Sequence, residues 1–181
     1  ALAEALKTNS TLTTLYSNYN SIGDSGSQAL SEALKINMTL TTLSLEDNSI
    51  RDNGAQALAA ALKTNSILNT LQLSFNKIGF KGTLALTLAC RINSTLTTLN
   101  LQNNLIKDKV VLELSEAFKT DSTRTTLELW SSEVEDKGAQ ALAEALKTNS
   151  TLSIGQDAAR HFRSSSQLQF TSRNNVLNLI H

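Results

Sequence analysis

Leucines recur along this chain in a fixed pattern of apolar and polar positions. The phrase L-x-x-L-x-L-x-x-N is repeated with a spacing of 28 residues, and its copies begin at Leu12, Leu40, Leu68 and Leu96, with Ser17 in place of the third leucine of the first copy. A fifth copy is degraded, with Arg124 where its first leucine belongs and Ser132 where its asparagine belongs. Self-similarity at a period of roughly 20–50 residues is typical of chains whose units stack on one another. The pattern therefore predicts a solenoid.

Each period has two halves with different periodicity. In the first half the leucines alternate with polar residues, as at Leu43 and Leu45, which is strand periodicity. In the second half, apolar residues such as Leu58, Ala61 and Leu62 recur at i, i+3 and i+4, which places them on one face of a helix. The predicted unit is one strand followed by one helix.

Acidic residues and glycines mark the predicted start of each helix. One column of acids is placed one residue before the helix, where a carboxylate accepts hydrogen bonds from free backbone amides: Asp24, Asp52, Asp108 and Asp136. Phe80 interrupts this column. A glycine column follows, where the missing side chain would let neighbouring helices approach: Gly26, Gly54, Gly82 and Gly138. Val110 interrupts that one.

Cations and asparagines mark the predicted end of each helix. The cations oppose the negative end of the helix dipole, at Lys7, Lys35, Lys63, Arg91, Lys119 and Lys147. The asparagines suit a left-handed exit from the helix, at Asn9, Asn37, Asn65, Asn93 and Asn149. Both columns are predicted to serve the repeat itself.

With these residues the chain resembles the leucine-rich repeat proteins of the ribonuclease-inhibitor subtype, whose long repeat alternates a strand with a true helix. The resemblance covers residues 1–153. It implies an α/β fold, a right-handed leucine-rich repeat solenoid or horseshoe with a concave parallel sheet and convex helices. It implies less about function, because such scaffolds occur in inhibitors, NACHT-type (NLR) sensors and Ran GTPase-activating proteins alike.

The repeat register predicts a domain at 1–153 and a separate tail at 154–181. The repeats are a partial unit at 1–11 and full units at 12–39, 40–67, 68–95, 96–123 and 124–151. Because Ala1–Thr11 has the same letters as Ala141–Thr151, we expect the chain to be part of a larger protein. Incomplete end units predict self-association. For the tail, a cap over the last repeat and a partly disordered segment both stay open.

Composition narrows the class of protein. The 181 residues include equal numbers of acidic and basic side chains, 16 of each, and no proline, as in an ordinary folded domain. No apolar run approaches the ~20 residues that a membrane helix needs. The single cysteine, Cys90, stands at a leucine position, so a reducing compartment and a cytoplasmic location are expected. Four Asn-x-Ser/Thr triplets match the glycosylation pattern, and the repeat consensus generates them by itself.

Candidate functional residues are those that the repeat does not dictate. If the strand leucines face the core, the side chains between them point to the concave surface. We predict a partner-binding surface at Tyr16, Tyr19, Ser44, Glu46, Asp47, Gln72, Phe75, Asn100, Gln102, Glu128 and Trp130. Aromatic, amide and acidic side chains of this kind favour a protein or peptide partner of basic character. The opposite interpretation is that Phe75 tucks beneath its loop and that Tyr16 and Tyr19 decorate a fraying end.

The sequence offers little chemistry for catalysis. Both histidines, His161 and His181, lie in the tail, and no Cys/His cluster or Gly-rich phosphate loop is present in the sequence. We therefore expect no catalytic residues, no metal and no cofactor. Because the net charge is zero, we also expect neither a nucleic-acid nor a membrane partner. The expected function is non-enzymatic recognition of a polypeptide, as a module or scaffold. The alternative is a GTPase regulator resembling the Ran GTPase-activating proteins, which would act through its rim loops.

Overall fold

The computed structural model describes residues 1–118, 126–128, 136–148, 153–154, 169–173 and 176–180. The helices in these ranges are α1 (Leu2–Thr8), α2 (Gly23–Leu34), α3 (Asp52–Leu62), α4 (Phe80–Ile92), α5 (Asp108–Phe118) and α6 (Asp136–Thr148). The strands are β1 (Thr14–Tyr16), β2 (Thr42–Ser44), β3 (Thr70–Gln72), β4 (Thr98–Asn100), β5 (Thr126–Glu128), β6 (Ser153–Ile154), β7 (Gln169–Arg173) and β8 (Val176–Ile180). Strand and helix alternate through α6, as the two periodicities predict.

Strands β1 to β6 form one parallel sheet in chain order. Its register repeats from strand to strand: Leu15 pairs with Leu43, Leu43 with Leu71, and Leu71 with Leu99. From β1 to β5 each pair joins residues that are 28 positions apart, whereas Leu127 of β5 pairs with Ile154 of β6 at a separation of 27. This arrangement confirms the α/β solenoid, with the sheet on the concave side and the helices on the convex side.

The core lies between the sheet and the helices and is built from the repeat's leucines. The strand leucines Leu43, Leu71 and Leu99 are fully buried, and helix residues such as Leu58 and Leu86 pack from the other side. Cys90 is buried at a leucine position of α4, as predicted. Each unit buries its apolar face only against its neighbours, which is the source of stability in a solenoid.

A ladder of buried asparagine side chains ties successive turns together. Asn76 accepts hydrogen bonds from the backbone amides of Asn48 and Ile50, at 3.1 and 2.9 Å. Its Nδ2 donates to the carbonyl oxygen of Leu45 in the preceding repeat at 3.0 Å, and to two carbonyls of its own turn. Asn104 repeats the arrangement one unit on. These asparagine side chains therefore bond the backbone both within their own turn and across repeats.

The asparagines after the helices do not adopt the predicted left-handed conformation. Asn9 and Asn93 are extended, with φ of −75° and −79°. Their role is again to join repeats: Asn37 donates to the carbonyl oxygens of Leu6 and Asn9 at 2.8 and 3.0 Å, and accepts from the amide of Leu40. A left-handed exit satisfies carbonyls within one helix. Here the side chain of the next repeat satisfies them instead.

The predicted capping of each helix by its own aspartate is also wrong where the side chains are described. Neither α2 nor α3 has a side-chain cap of its own. Asp52 lies in the first turn of α3, and its Oδ1 accepts from the amides of Gly79 and Gly82 of the next repeat, at 2.8 and 2.9 Å. Asp24 caps α3 in the same way. Asp24 and Asp52 therefore each cap the helix of the following repeat and not their own helix.

The glycine column permits this capping. A Cβ atom at Gly82 would lie 2.8 Å from the Cβ of Ala55 and 2.9 Å from Oδ1 of Asp52. The predicted close approach of neighbouring helices is thus confirmed at this position. The side chains of Asp108 and Asp136, which would continue the column, lie outside the described residues.

The cation column lies at or just after the helix ends, as predicted, except that Lys119 lies outside the described residues. Lys7 pairs with Glu4 at 2.7 Å, and Lys35 with Glu32 at 2.6 Å. These exposed pairs give the cations local partners. The hydrogen bond and the charge of Lys7 hold the pKa of Glu4 below its usual value.

The tail contains structure that the repeat pattern does not predict. Strands β7 and β8 pair in the antiparallel direction, with Phe170 opposite Leu179. Strand β8 approaches helix α6. The division of the chain at residue 153 remains a prediction.

Candidate binding surface on the concave sheet

The sheet register brings five predicted site residues into one column. Along the concave face the order is Tyr16, Ser44, Gln72, Asn100 and Glu128, each opposite the next. Neighbouring strands lie about 4.8 Å apart, so these positions form a continuous row. The side chain of Glu128 and the whole of Trp130 lie outside the described residues. The described part of the surface therefore runs from Tyr16 to Gln102.

Exposure differs sharply along this row. Tyr16 is largely exposed and Gln72 partly so, whereas Ser44 between them is only 2% exposed. Ser44 was predicted as a contact residue, and its burial leaves it little surface to offer a partner.

A second row follows the strands, and its backbone is left-handed. The residues with positive φ are Tyr19 (57°), Asp47 (51°), Phe75 (56°) and Asn103 (52°). The amides of Tyr19, Asp47 and Phe75 donate to carbonyl oxygens of the next repeat, as when Tyr19 donates to Glu46 at 2.8 Å. Non-glycine residues seldom adopt this conformation, although Asn and Asp do so more often than most. The Asp and Asn in the row were the only sequence signal for it.

Two of the aromatic side chains in this second row stand out from the surface. Phe75 is 51% exposed and Tyr19 is exposed to a greater extent. The interpretation that Phe75 tucks beneath its loop is therefore wrong. Between the two rings lies Asp47, whose side chain is also exposed. An exposed carboxylate thus sits in a row between two exposed aromatic residues.

A hydrogen bond links the aromatic and acidic parts of the surface. The phenol oxygen of Tyr19 donates to Oε1 of Glu46 at 3.3 Å. The negative charge of Glu46, then this hydrogen bond, raises the pKa of Tyr19 above its usual value, because both oppose formation of a phenolate. Asp47 adds a smaller effect of the same sign. At neutral pH the tyrosine is a neutral donor beside a carboxylate.

This surface is suited to a polypeptide. Exposed rings supply contact area at a small cost in side-chain entropy, and the partly exposed amide side chain of Gln72 lies beside them. The side-chain oxygen of Asn100 accepts a hydrogen bond from the backbone amide of Gln102 at 2.9 Å. Glu46 and Asp47 add negative charge at one end. No group of three or more His, Cys, Asp or Glu side chains with metal-binding geometry occurs among the described residues. Within the same residues no helix is long and apolar enough to cross a membrane.

Two of the glycosylation triplets are engaged in the fold. Nδ2 of Asn37 and of Asn93, the atom that a glycan would join, donates to two carbonyl oxygens of the preceding repeat in each case. Modification would require those bonds to break. The repeat consensus explains these triplets through their structural role.

Comparison with known proteins agrees with this architecture. The sequence matches the family Leucine Rich repeat at residues 8–31, 37–59, 64–86 and 93–115, which together exceed half of the chain. A search of curated protein sequences finds no match. Among solved structures, "Leiomodin-1 Actin-Binding Site 2 (ABS2)" superposes with a TM-score of 0.70 at 26% identity, over 91% of this chain and 93% of that one.

A second solved structure is similar at the level of the fold. The tropomodulin C-terminal domain of Caenorhabditis elegans superposes with a TM-score of 0.63 at 16% identity, over 91% of this chain and 96% of the other. Both similarities extend over nearly the full length of each chain.

Proposed function

Because the chain belongs to the leucine-rich repeat family, we propose that it is a non-enzymatic recognition module that binds a polypeptide on its concave face. The observation that carries this proposal is the exposed row of Tyr19, Asp47 and Phe75 beside the sheet. A repeat protein uses its core residues for stacking, so large exposed side chains outside the consensus are available for contact. We also propose that the chain belongs to the ribonuclease-inhibitor subtype and lies in the cytoplasm, both of which are compatible with this role.

The partner segment carries basic side chains. Glu46 and Asp47 are adjacent carboxylates, and the phenol of Tyr19 already donates to one of them. A lysine or arginine of the partner would meet a carboxylate and an aromatic face together, which strengthens the contact through a cation–π interaction. Charge complementarity of this kind raises the rate of association and makes it sensitive to salt.

Actin is the first protein to test as a partner. The reason is the similarity to a solved structure whose title names an actin-binding site, at 26% identity. Neither that similarity nor the family match supports the alternative of a GTPase regulator, and it is set aside. A role inside a larger protein, as a scaffold or as part of an NLR-like sensor, is compatible with this recognition function.

A peptide-display selection tests the concave surface without a named partner. The native chain would be panned against random peptides, and the enriched peptides would then be titrated against a Glu46→Lys/Asp47→Lys variant that took no part in the selection. We expect enriched peptides to contain Lys or Arg beside apolar residues, and to bind the variant at least tenfold more weakly. The control is Glu32→Lys on the convex helix α2, whose carboxylate makes only an exposed ion pair with Lys35.

The selection can contradict the proposal. If the enriched peptides bind the double variant as tightly as the native chain, or if they carry no basic residues, the acidic end of the surface is not the site. Co-sedimentation with actin filaments and titration of labelled actin monomers test actin separately. If the selection succeeds and actin does not bind, the concave site stands and actin is the wrong partner.

A further inference from the structure

Helix α4 departs from the repeat at one set of positions, of which Leu88 and Ile92 are exposed while Phe80 and Leu84 also pack partly against the core. Four of its residues are apolar and spaced at i, i+4, i+8 and i+12, namely Phe80, Leu84, Leu88 and Ile92. The equivalent positions of the preceding repeat hold Asp52, Gln56, Ala60 and Thr64. We call Phe80, Leu84, Leu88 and Ile92 the α4 stripe. A helix that is apolar on both its core and its outer side is normally covered on both.

The α4 stripe is accessible. Ile92 is 67% exposed, Leu88 is exposed, and Phe80 and Leu84 are partly exposed. Leu112 of helix α5, also exposed, extends the apolar surface sideways. Thirteen residues of helix span about 20 Å, so the α4 stripe matches the apolar side of a short helix of similar length. Apolar side chains clustered in this way on one face indicate an interaction site.

One end of the α4 stripe is positively charged. Lys77, Lys81 and Lys109 are all exposed around the N-terminus of α4. The Nζ of Lys109 lies 5.7 Å from the centre of the Phe80 ring. The aspartate that the repeat places here is replaced by Phe80, while the carboxylate of Asp52 is occupied by the amides of Gly79 and Gly82.

We propose that the α4 stripe binds an amphipathic helix of a protein partner, antiparallel to α4 and acidic in its last turn. The antiparallel direction places the negative end of the partner's dipole and its acidic side chains at Lys77, Lys81 and Lys109. Its apolar face covers Leu84, Leu88 and Ile92 in the manner of helix-in-groove recognition. This site is on the convex side and is independent of the concave surface.

Two designed peptides test the proposal. Both are fluorescein-labelled, stapled 16-residue helices with the same leucine stripe; one has three glutamates in its last turn and the other has three lysines there. We expect fluorescence anisotropy to show at least tenfold tighter binding of the acidic peptide, with a preference that weakens as salt increases. Leu88→Glu should reduce its affinity at least tenfold.

The chain supplies a matched control. Ile92→Glu changes the α4 stripe, and Ile36→Glu makes the same substitution at the equivalent position after α2, where Ile36 is 57% exposed but Gln28 and Glu32 interrupt any apolar stripe. Only Ile92→Glu should weaken binding, and Glu46→Lys/Asp47→Lys should leave it unchanged. Equal loss in the two isoleucine variants would overturn the proposal, as would equal affinity for the two peptides.

Sedimentation velocity of the native chain distinguishes another occupant. If the chain forms a dimer that Leu88→Glu converts to a monomer, a second copy covers the α4 stripe and the proposed partner helix is wrong. We expect Leu88→Glu to leave the sedimentation coefficient unchanged.

Discussion

We call the contact between two consecutive helices a seam. The seam between α3 and α4 differs from the seam between α4 and α5 in the residues that form it. Between α3 and α4, Asp52 caps the next helix through the amides of Gly79 and Gly82, and Gly82 has no side chain to obstruct it. Between α4 and α5 the aspartate is replaced by Phe80 and the glycine by Val110, which is buried. Helices α4 and α5 also approach each other less closely than α3 and α4 do. The positions that hold an aspartate and a glycine at the first of these contacts hold a phenylalanine and a valine at the second.

The exchange coincides with the α4 stripe, which begins at Phe80. A repeat protein tolerates loss of a capping contact between two helices because each unit has two neighbours and an asparagine ladder on the sheet side. Departure from a repeat consensus therefore marks both candidate surfaces of this protein.

The largest effect is expected at the glycine of the close seam. Gly82→Ala should lower the free energy of unfolding by about 3 kcal/mol, because its Cβ would overlap Ala55 and Asp52. In an ordinary helix the same change stabilises by about 1 kcal/mol, so the sign itself is diagnostic. Urea unfolding followed by circular dichroism measures it. Asn53→Ala, an exposed change in α3, controls for helix propensity, and a stabilised Gly82→Ala would contradict the described seam.

Removal of the capping carboxylate should have the next largest effect. Asp52→Ala leaves the amides of Gly79 and Gly82 without their acceptor, at a cost of about 2 kcal/mol. Asp52→Asn keeps an oxygen at the same place and should cost less than half as much. Urea unfolding of both variants decides this. Equal losses would mean that charge, and not the hydrogen bonds, stabilises the seam.

A double-mutant cycle tests whether the α4–α5 seam can be given the residues of the α3–α4 seam. Phe80→Asp should destabilise the folded chain because it removes a partly buried ring. Val110→Gly should destabilise it because it leaves a cavity. Together they restore the consensus pair, and we expect a favourable coupling of about 1.5 kcal/mol in unfolding experiments. Additive losses would show that the two positions do not act as a unit.

The smallest change is expected to stabilise the protein. Thr83 is fully buried in α4, and its hydroxyl oxygen is without a hydrogen-bond partner. The preceding repeat has Ala55 at this position. Thr83→Val keeps the shape and removes the unsatisfied hydroxyl, so thermal unfolding should show a gain of about 1 kcal/mol. Thr87→Val is the control, because its hydroxyl donates to the carbonyl oxygen of Thr83 at 2.9 Å and its loss should not stabilise.

The sequence predicts the structural features that depend only on residues within one repeat. The burial of Leu43 and Leu71 and their register follow from periodicity, because a slip would turn the leucines away from the core. The role of Asp52 does not follow, because its partners belong to the next helix and are known only after the repeats are stacked. The burial of Ser44 depends on its neighbours in the same way.

Backbone conformation limits the prediction of the binding surface. Phe75 and Tyr19 have a left-handed conformation that neither residue type favours, so no local rule predicts how far they protrude. The aromatic and acidic character of the surface could be predicted, because it depends only on which residues interrupt the consensus. The shape of the surface could not be predicted, because it depends on the backbone conformation of Tyr19 and Phe75.

The central claim is that the concave row is the recognition surface, and chemical-shift mapping tests it most directly. The ¹⁵N-labelled chain would be titrated with the tightest peptide from the display selection. We predict that the largest amide shifts cluster at Tyr16, Tyr19, Glu46, Asp47, Gln72, Phe75, Asn100 and Gln102, while α2 and α3 are unaffected. Shifts that cluster on the convex helices, with the concave row unchanged, would contradict the account.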